Sequence, residues 1–92
     1  MSFTFDWNVA KSRANLRKHG VSFGEAVGAF WDPLSITIGD PKHSSGEERF
    51  LLIGLSNHRR LLVVSHVERD GRIRLISARL ANRQERSEYE RG

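Results

Sequence analysis

Two apolar runs, residues 61–67 and 73–78, flank Asp70 and Gly71 within the stretch RLLVVSHVERDGRIRLISAR. Valine and isoleucine enrichment and the short run lengths predict strands rather than helix. An Asp-Gly pair suits a type I′ turn, in which both central residues have φ > 0. The turn predicts a register in which Arg69 faces Arg72, Glu68 faces Ile73, His66 faces Leu75 and Val64 faces Ser77. Strand side chains alternate between faces. One face then carries Leu62, Val64, His66, Glu68, Ile73, Leu75, Ser77 and Arg79. The other carries Leu61, Val63, Ser65, Val67, Arg74, Ile76 and Ala78, and its apolar character makes it the expected core side. A slip of one residue exchanges the two faces.

The remaining pattern supplies shorter elements. Phe3, Phe5 and Trp7 alternate with Thr4 and Asp6, predicting an N-terminal strand. Asn8 caps a helix over residues 9–18, which Gly20 ends. Lys11, Asn15 and Lys18 share one face of it, Ala10 and Ala14 another. Ser22 and Glu25 have capping-box spacing, and Phe23, Ala26, Val27, Phe30 and Trp31 form one buried helical face. Asp32-Pro33 stops that helix. Leu34, Ile36 and Ile38 predict a strand, residues 39–46 a polar loop, and residues 48–56 another strand. Were Asn57-His58 a two-residue turn, Arg49 would fall opposite His66. Asn82 and Glu85 repeat the capping-box spacing and open a charged helix over residues 83–91, with Tyr89 as its one large apolar anchor. The expected fold is α+β: one domain spanning residues 1–92, with a small, mainly antiparallel sheet, two N-terminal helices and one C-terminal helix.

Charge changes the picture. Residues 1–58 balance six Lys or Arg against six Asp or Glu, whereas residues 59–92 hold nine arginines against five acids. Guanidinium groups match phosphate oxygens and stack on bases, which points to nucleic acid. The absence of cysteine excludes disulfides and thiolate metal sites. No apolar run reaches the ~20 residues of a membrane span. With no secretion-signal pattern, a cytoplasmic location is the expectation. No Gly-rich phosphate loop, nucleophile elbow or paired metal-ligand motif is present. Asp40 and His43 make a poor metal site, being two ligands on a loop.

The chemistry-bearing residues left are Arg49, His66, Glu68, Ser77 and Arg79, with Glu47 or Glu48 nearby and Lys18 and His19 at the end of the first helix. This inventory suits RNA cleavage without metal or cofactor. A His or Glu takes the 2′-hydroxyl proton, and arginines hold the charge of the phosphorane. Each residue also has a plainer reading: His66 as packing, Glu68 and Arg69 as solvated tip charges, His19 as a helix-terminal cation. The same basic face would serve a non-catalytic nucleic-acid-binding module or a partner-binding protein.

Several segments occur together: FDWN, NLRKHGVSF (residues 15–23), DP at Asp32, HSSGEERFLLIGLS (43–56) and RIRLISARLANRQERSEYE (72–90). In this order they resemble the BrnT toxins of BrnT/BrnA type II toxin–antitoxin systems. The resemblance implies a RelE-like fold and a metal-independent endoribonuclease that arrests translation. It also implies a BrnA-like ribbon-helix-helix antitoxin, which alone contacts operator DNA, and a toxin–antitoxin heterotetramer. The family pattern falls on Lys18, His19, Glu48, Arg49, Arg69, Ser77, Arg79 and Tyr89, and departs at Asn82, where the family often has Thr. Arg49 and Arg79 are the expected phosphate holders. His66 or Glu48 is the expected base, although the register puts Glu48 on the opposite face of the sheet from Arg49. Lys18 or His19 is the complementary acid or charge stabiliser. Arg69, Arg74, Ser77, Arg83 and Tyr89 are the expected RNA contacts.

Overall fold

The computed structural model describes residues 3–92. The element order is β1 (Thr4–Asp6), α1 (Val9–His19), α2 (Phe23–Ala29), β2 (Ile36–Gly39), a 3-10 turn (Pro41–His43), β3 (Arg49–Leu55), β4 (Leu61–Arg69), β5 (Arg72–Leu80) and α3 (Arg83–Arg91). The five strands form one sheet in the order β1-β5-β4-β3-β2. Among the described residues only the β1–β5 pair is parallel. The α+β class, the mainly antiparallel sheet and the placing of the three helices along the chain agree with expectation.

The caps are legible in local chemistry. Asn8 Oδ1 accepts from Lys11 N at 3.0 Å, and Gly20 takes the left-handed conformation that ends α1. Asn82 and Glu85 complete a reciprocal capping box. Ser22 caps α2, but Glu25 does not return the bond. Its side chain is only 3% exposed, and its carboxylate is held by Arg60 Nε (2.9 Å) and Ser56 Oγ (2.7 Å). The α2 face also ends early. The helix stops at Ala29, so Trp31 is 56% exposed rather than core.

Two register details differ from expectation and together decide which side chains meet. Asp70 and Gly71 have φ of 52° and 77° and make the expected two-residue turn. Pairing runs as predicted from Arg69↔Arg72 to His66↔Leu75. There β5 bulges, Ser65 pairs with Ser77, and Ile76 has no partner. Ser77 and Arg79 therefore move to the face of Ser65 and Val63, and Ala78 moves to that of Val64. The second difference is the β3–β4 connection. Asn57, His58 and Arg59 form a three-residue loop, closed by bonds from Arg59 N to Ser56 O and from Ser56 N to Arg60 O, with Arg59 at φ 63°. The extra residue puts Phe50, not Arg49, opposite His66, and Arg49 opposite Val67.

The main core is on the face expected to be polar. Leu52, Leu62, Val64, Ile73, Leu75 and Ala78 pack there against Val21, Phe23, Ala26 and Ala29. The face expected to be core buries a smaller cluster of Ile53, Leu61 and Val63 beneath Tyr89 of α3. Leu61 through Val67 are buried on both faces. Alternation along β4 therefore carries no mark of which side the helices cover. At the outer edge of β5, beyond the reach of β1, the Asn15 amide substitutes for a strand. Its Nδ2 donates to the carbonyls of Ala78 (2.8 Å) and Val21 (2.9 Å), and Oδ1 accepts from Ala78 N (3.0 Å).

Candidate active site

The open face of the sheet is laid out in rows by the register. Arg49, Val67 and Arg74 form one row across β3, β4 and β5; Leu51, Ser65 and Ser77 form the next; Ile53, Val63 and Arg79 form the third. Between the arginines lies a cleft of about 250 Å³, lined by Asp40, His43, Arg49, Ser65, Ser77 and Arg79 among others. The two register changes act in the same sense. Arg49 and Arg79 stay on one face together, but it is the face away from His66.

The loop before β3 brings a histidine to this cleft. Asp40 begins a 3-10 turn with Pro41 in its first position, and such a turn superposes residues three apart. Asp40 Oδ2 thus lies 2.9 Å from His43 Nδ1. Ser44 fastens the loop, its hydroxyl donating to Asp40 O (2.8 Å) and accepting from Arg49 N (2.8 Å). With Nδ1–H donating to the carboxylate, Nε2 of His43 is left as the proton acceptor. The imidazole is 64% exposed and Asp40 15%, so the ring is accessible while its orienting group is sheltered.

Arg79 is held from behind. Its Nη1 and Nη2 each lie 2.8 Å from one carboxylate oxygen of Glu85. The fork raises the guanidinium above its ordinary value and lowers the carboxyl, the hydrogen bonds to Arg79 outweighing burial. Glu85 is fixed in turn by the capping box, where Oε1 accepts from Asn82 N at 2.9 Å. The α3 N-terminus therefore aims Arg79. Among the described residues, no carboxylate lies within ion-pair distance of Arg49.

The other expected site residues are distributed as follows. His66 is 3% exposed on the helix-covered face, between the rings of Phe30 (5.0 Å) and Phe50 (5.9 Å). Burial pushes its imidazole below the ordinary value. It is thus a neutral packing group and does not share a face with Arg49 and Arg79. Glu48 is exposed just before β3. Lys18 and His19 line a groove with Lys11, Asn15, Ile76 and Ser77, so Ser77 stands between this groove and the cleft. Arg69 and Arg74 are at the hairpin tip, paired with Glu47 and Asp6. Arg83 is exposed on α3. Tyr89 is an anchor: it packs on the smaller cluster and donates to Asp32 Oδ2 at 2.6 Å. That bond raises the Tyr89 phenol to about 12.

Asp40 and His43, which the sequence offers only as a poor metal pair, are brought by the fold to the same cleft as Arg49 and Arg79. The signal was present in Asp-Pro-x-His, where proline favours a turn that brings residues three apart together. Among the described residues no three His, Cys, Asp or Glu side chains converge as metal ligands.

Residues 7–85 match the family model described as "Ribonuclease toxin, BrnT, of type II toxin-antitoxin system". The chain belongs to this family. The match takes in every residue lining the cleft and Glu85 behind it, and ends before Tyr89. The fold is similar to the crystal structure of the Brucella abortus ribonuclease toxin BrnT. The TM-score is 0.68 at 20% identity, covering 89% of this chain and 100% of that one. At that identity the likeness is one of fold, a five-stranded mixed sheet with helices. No curated protein matches by sequence. No helix among the described residues is long and apolar enough to cross a membrane.

Proposed function

We propose that this BrnT-family ribonuclease toxin is a metal-independent endoribonuclease whose centre is the cleft between Arg49 and Arg79. One observation carries the reading: two guanidinium groups from separate strands and a carboxylate-oriented imidazole line a single cleft. His43 Nε2 takes the proton from a ribose 2′-hydroxyl, and Asp40 stabilises the imidazolium that forms. The 2′-oxygen attacks phosphorus and the 5′-oxygen leaves, giving a 2′,3′-cyclic phosphate and a 5′-hydroxyl. Arg49 and Arg79 neutralise the non-bridging oxygens, with Arg79 pre-aimed by Glu85 so that little reorganisation accompanies charge build-up. The Ser65 and Ser77 hydroxyls add neutral donors. Lys18 and His19, on the far side of Ser77, supply positive charge and a proton for the leaving oxygen. DNA lacks the nucleophile and binds without reacting.

We infer the cellular role by extending the family's description as a toxin of a type II toxin-antitoxin system. Cleavage inhibits translation, and a BrnA-like ribbon-helix-helix antitoxin neutralises the toxin in a heterotetramer, contacting operator DNA on its behalf.

The test is cleavage of a labelled RNA by purified protein in EDTA, with product ends identified. Cyclic-phosphate ends are expected, and His43→Ala should lower kcat roughly 10²–10⁴-fold while retaining RNA binding. Arg79→Ala should abolish cleavage. A wild-type protein that binds RNA and leaves it intact in EDTA overturns the reading, as does cleavage by His43→Ala at the wild-type rate.

A further inference from the structure

A second hollow is larger than the cleft between Arg49 and Arg79. A cavity of about 340 Å³ lies at the tip of the β4–β5 hairpin, lined by Asp6, Arg69, Asp70, Arg72 and Arg74. Its size is at the low end for small-molecule pockets. We propose that it is a nucleobase subsite selecting guanine close to the scissile phosphate, a proposal that rests on the ribonuclease reading above.

Location is the first reason. Arg74 shares a row with Arg49, separated only by Val67 on the intervening strand. Strands lie about 4.8 Å apart, so the two Cα atoms are about 10 Å from each other. Glu47 links the regions. Its carboxyl is lowered first by the hydrogen bonds from Arg69, and further by the charges of Arg49 and Arg74. A strand with one phosphate at Arg49 has its neighbouring nucleotide over this hollow.

Charge is the second reason. Arg69, Arg72 and Arg74 share the lining with Asp6 and Asp70, and Glu47, outside it, grips Arg69 through both oxygens (2.7 and 2.6 Å). With two of its three arginines held by carboxylates, the hollow is not a simple anion seat. It is instead a mixed set of strong donors and acceptors, which suits a base edge.

The third reason is which base edge it suits. The parallel register sets Asp6 beside Arg74, and their ion pair is long: a single contact of 3.3 Å from Nη1 to Oδ1. Asp6 Oδ2 makes no hydrogen bond among the described residues. Guanine alone among the four RNA bases offers two adjacent donors, N1–H and N2–H, that a carboxylate accepts side by side. Its O6 and N7 accept from a guanidinium fork. Arg72, which has no carboxylate within ion-pair distance among the described residues, offers a planar surface on which the base stacks. Adenine and cytosine present an acceptor beside their amino group and set it against the carboxylate. Uracil offers one donor between two acceptors.

The experiment maps cleavage sites of the full chain on a random-sequence RNA pool. Guanine should be enriched at one fixed position within two nucleotides of the cut, by roughly five- to a hundred-fold. Asp6→Asn replaces one acceptor by a donor and should flatten that preference. Random bases at the cut, or an undiminished guanine preference in Asp6→Asn, overturn the subsite while leaving the ribonuclease reading intact. Binding of guanosine and adenosine 5′-monophosphates to the wild-type protein, followed by amide shifts of residues 69–74, tests the subsite without catalysis. Preferential shifts with the guanosine nucleotide support it even if no RNA is cut, and equal response to both overturns it.

Discussion

The Glu25 carboxylate offers the sharpest quantitative test, because it fastens the loop that sets the β3 register. Glu25 on α2 holds Arg60 and Ser56, the two residues that close the three-residue β3–β4 loop. Arg60 Nη2 also donates to Gly20 O at 2.9 Å, joining the α1 terminus to the same knot. The Arg60 hydrogen bonds, helped by Ser56 and opposed by burial, lower the carboxyl from an ordinary 4.5 to about 2. That difference makes the ionised group worth roughly 3 kcal/mol to the folded state. Because the folded value lies below the unfolded one, the contribution is full above about pH 4.5 and is lost as pH falls towards 2. Glu25→Gln keeps the shape and removes the charge. Arg60 stays partly in water, so no buried cation is orphaned. In urea denaturation the variant should lose about 3 kcal/mol at neutral pH, and about half as much near pH 3. A deficit that does not shrink with acidification, or no deficit at neutral pH, would refute the assignment of this knot to an ionised Glu25.

Other substitutions probe the remaining placements. His66→Leu should leave kcat and its pH profile unchanged in an RNA-cleavage assay, because the imidazole is buried on the face away from Arg49 and Arg79. Tyr89→Phe should cost about 1 kcal/mol in chemical denaturation, since Asp32 keeps its amide donors Leu34 and Leu55. In the wild type, ultraviolet titration should find that phenol near 12, and an ordinary value near 10 would mean the hydroxyl is not on Asp32. Gly54→Ala should lower stability by about 1–3 kcal/mol, because the added methyl would stand 2.6 Å from the Ala29 carbonyl oxygen. A thermal scan showing no change would mean α2 does not rest on β3 there.

Local signals in the chain were enough for the elements and for most of their ends, the early stop of α2 at Ala29 being an exception. Asn8, Ser22 and Asn82 each cap a helix with their own side chain, and Asp70-Gly71 closes a turn from its own backbone preferences. Such signals act over three or four residues, so they are visible before anything folds. The tertiary structure decided which side chains meet. A strand repeats every two residues, so one bulge at Ile76 and one additional loop residue at Arg59 each turn everything beyond them to the opposite face. Neither event has a local signature here. β4 is apolar on both sides, and the loop that ends at Arg60 is tied by Glu25, 35 residues earlier in the chain. Arg49 and Arg79 kept each other's company because both changed face. His66 did not change with them, and His43 took its place beside the arginines.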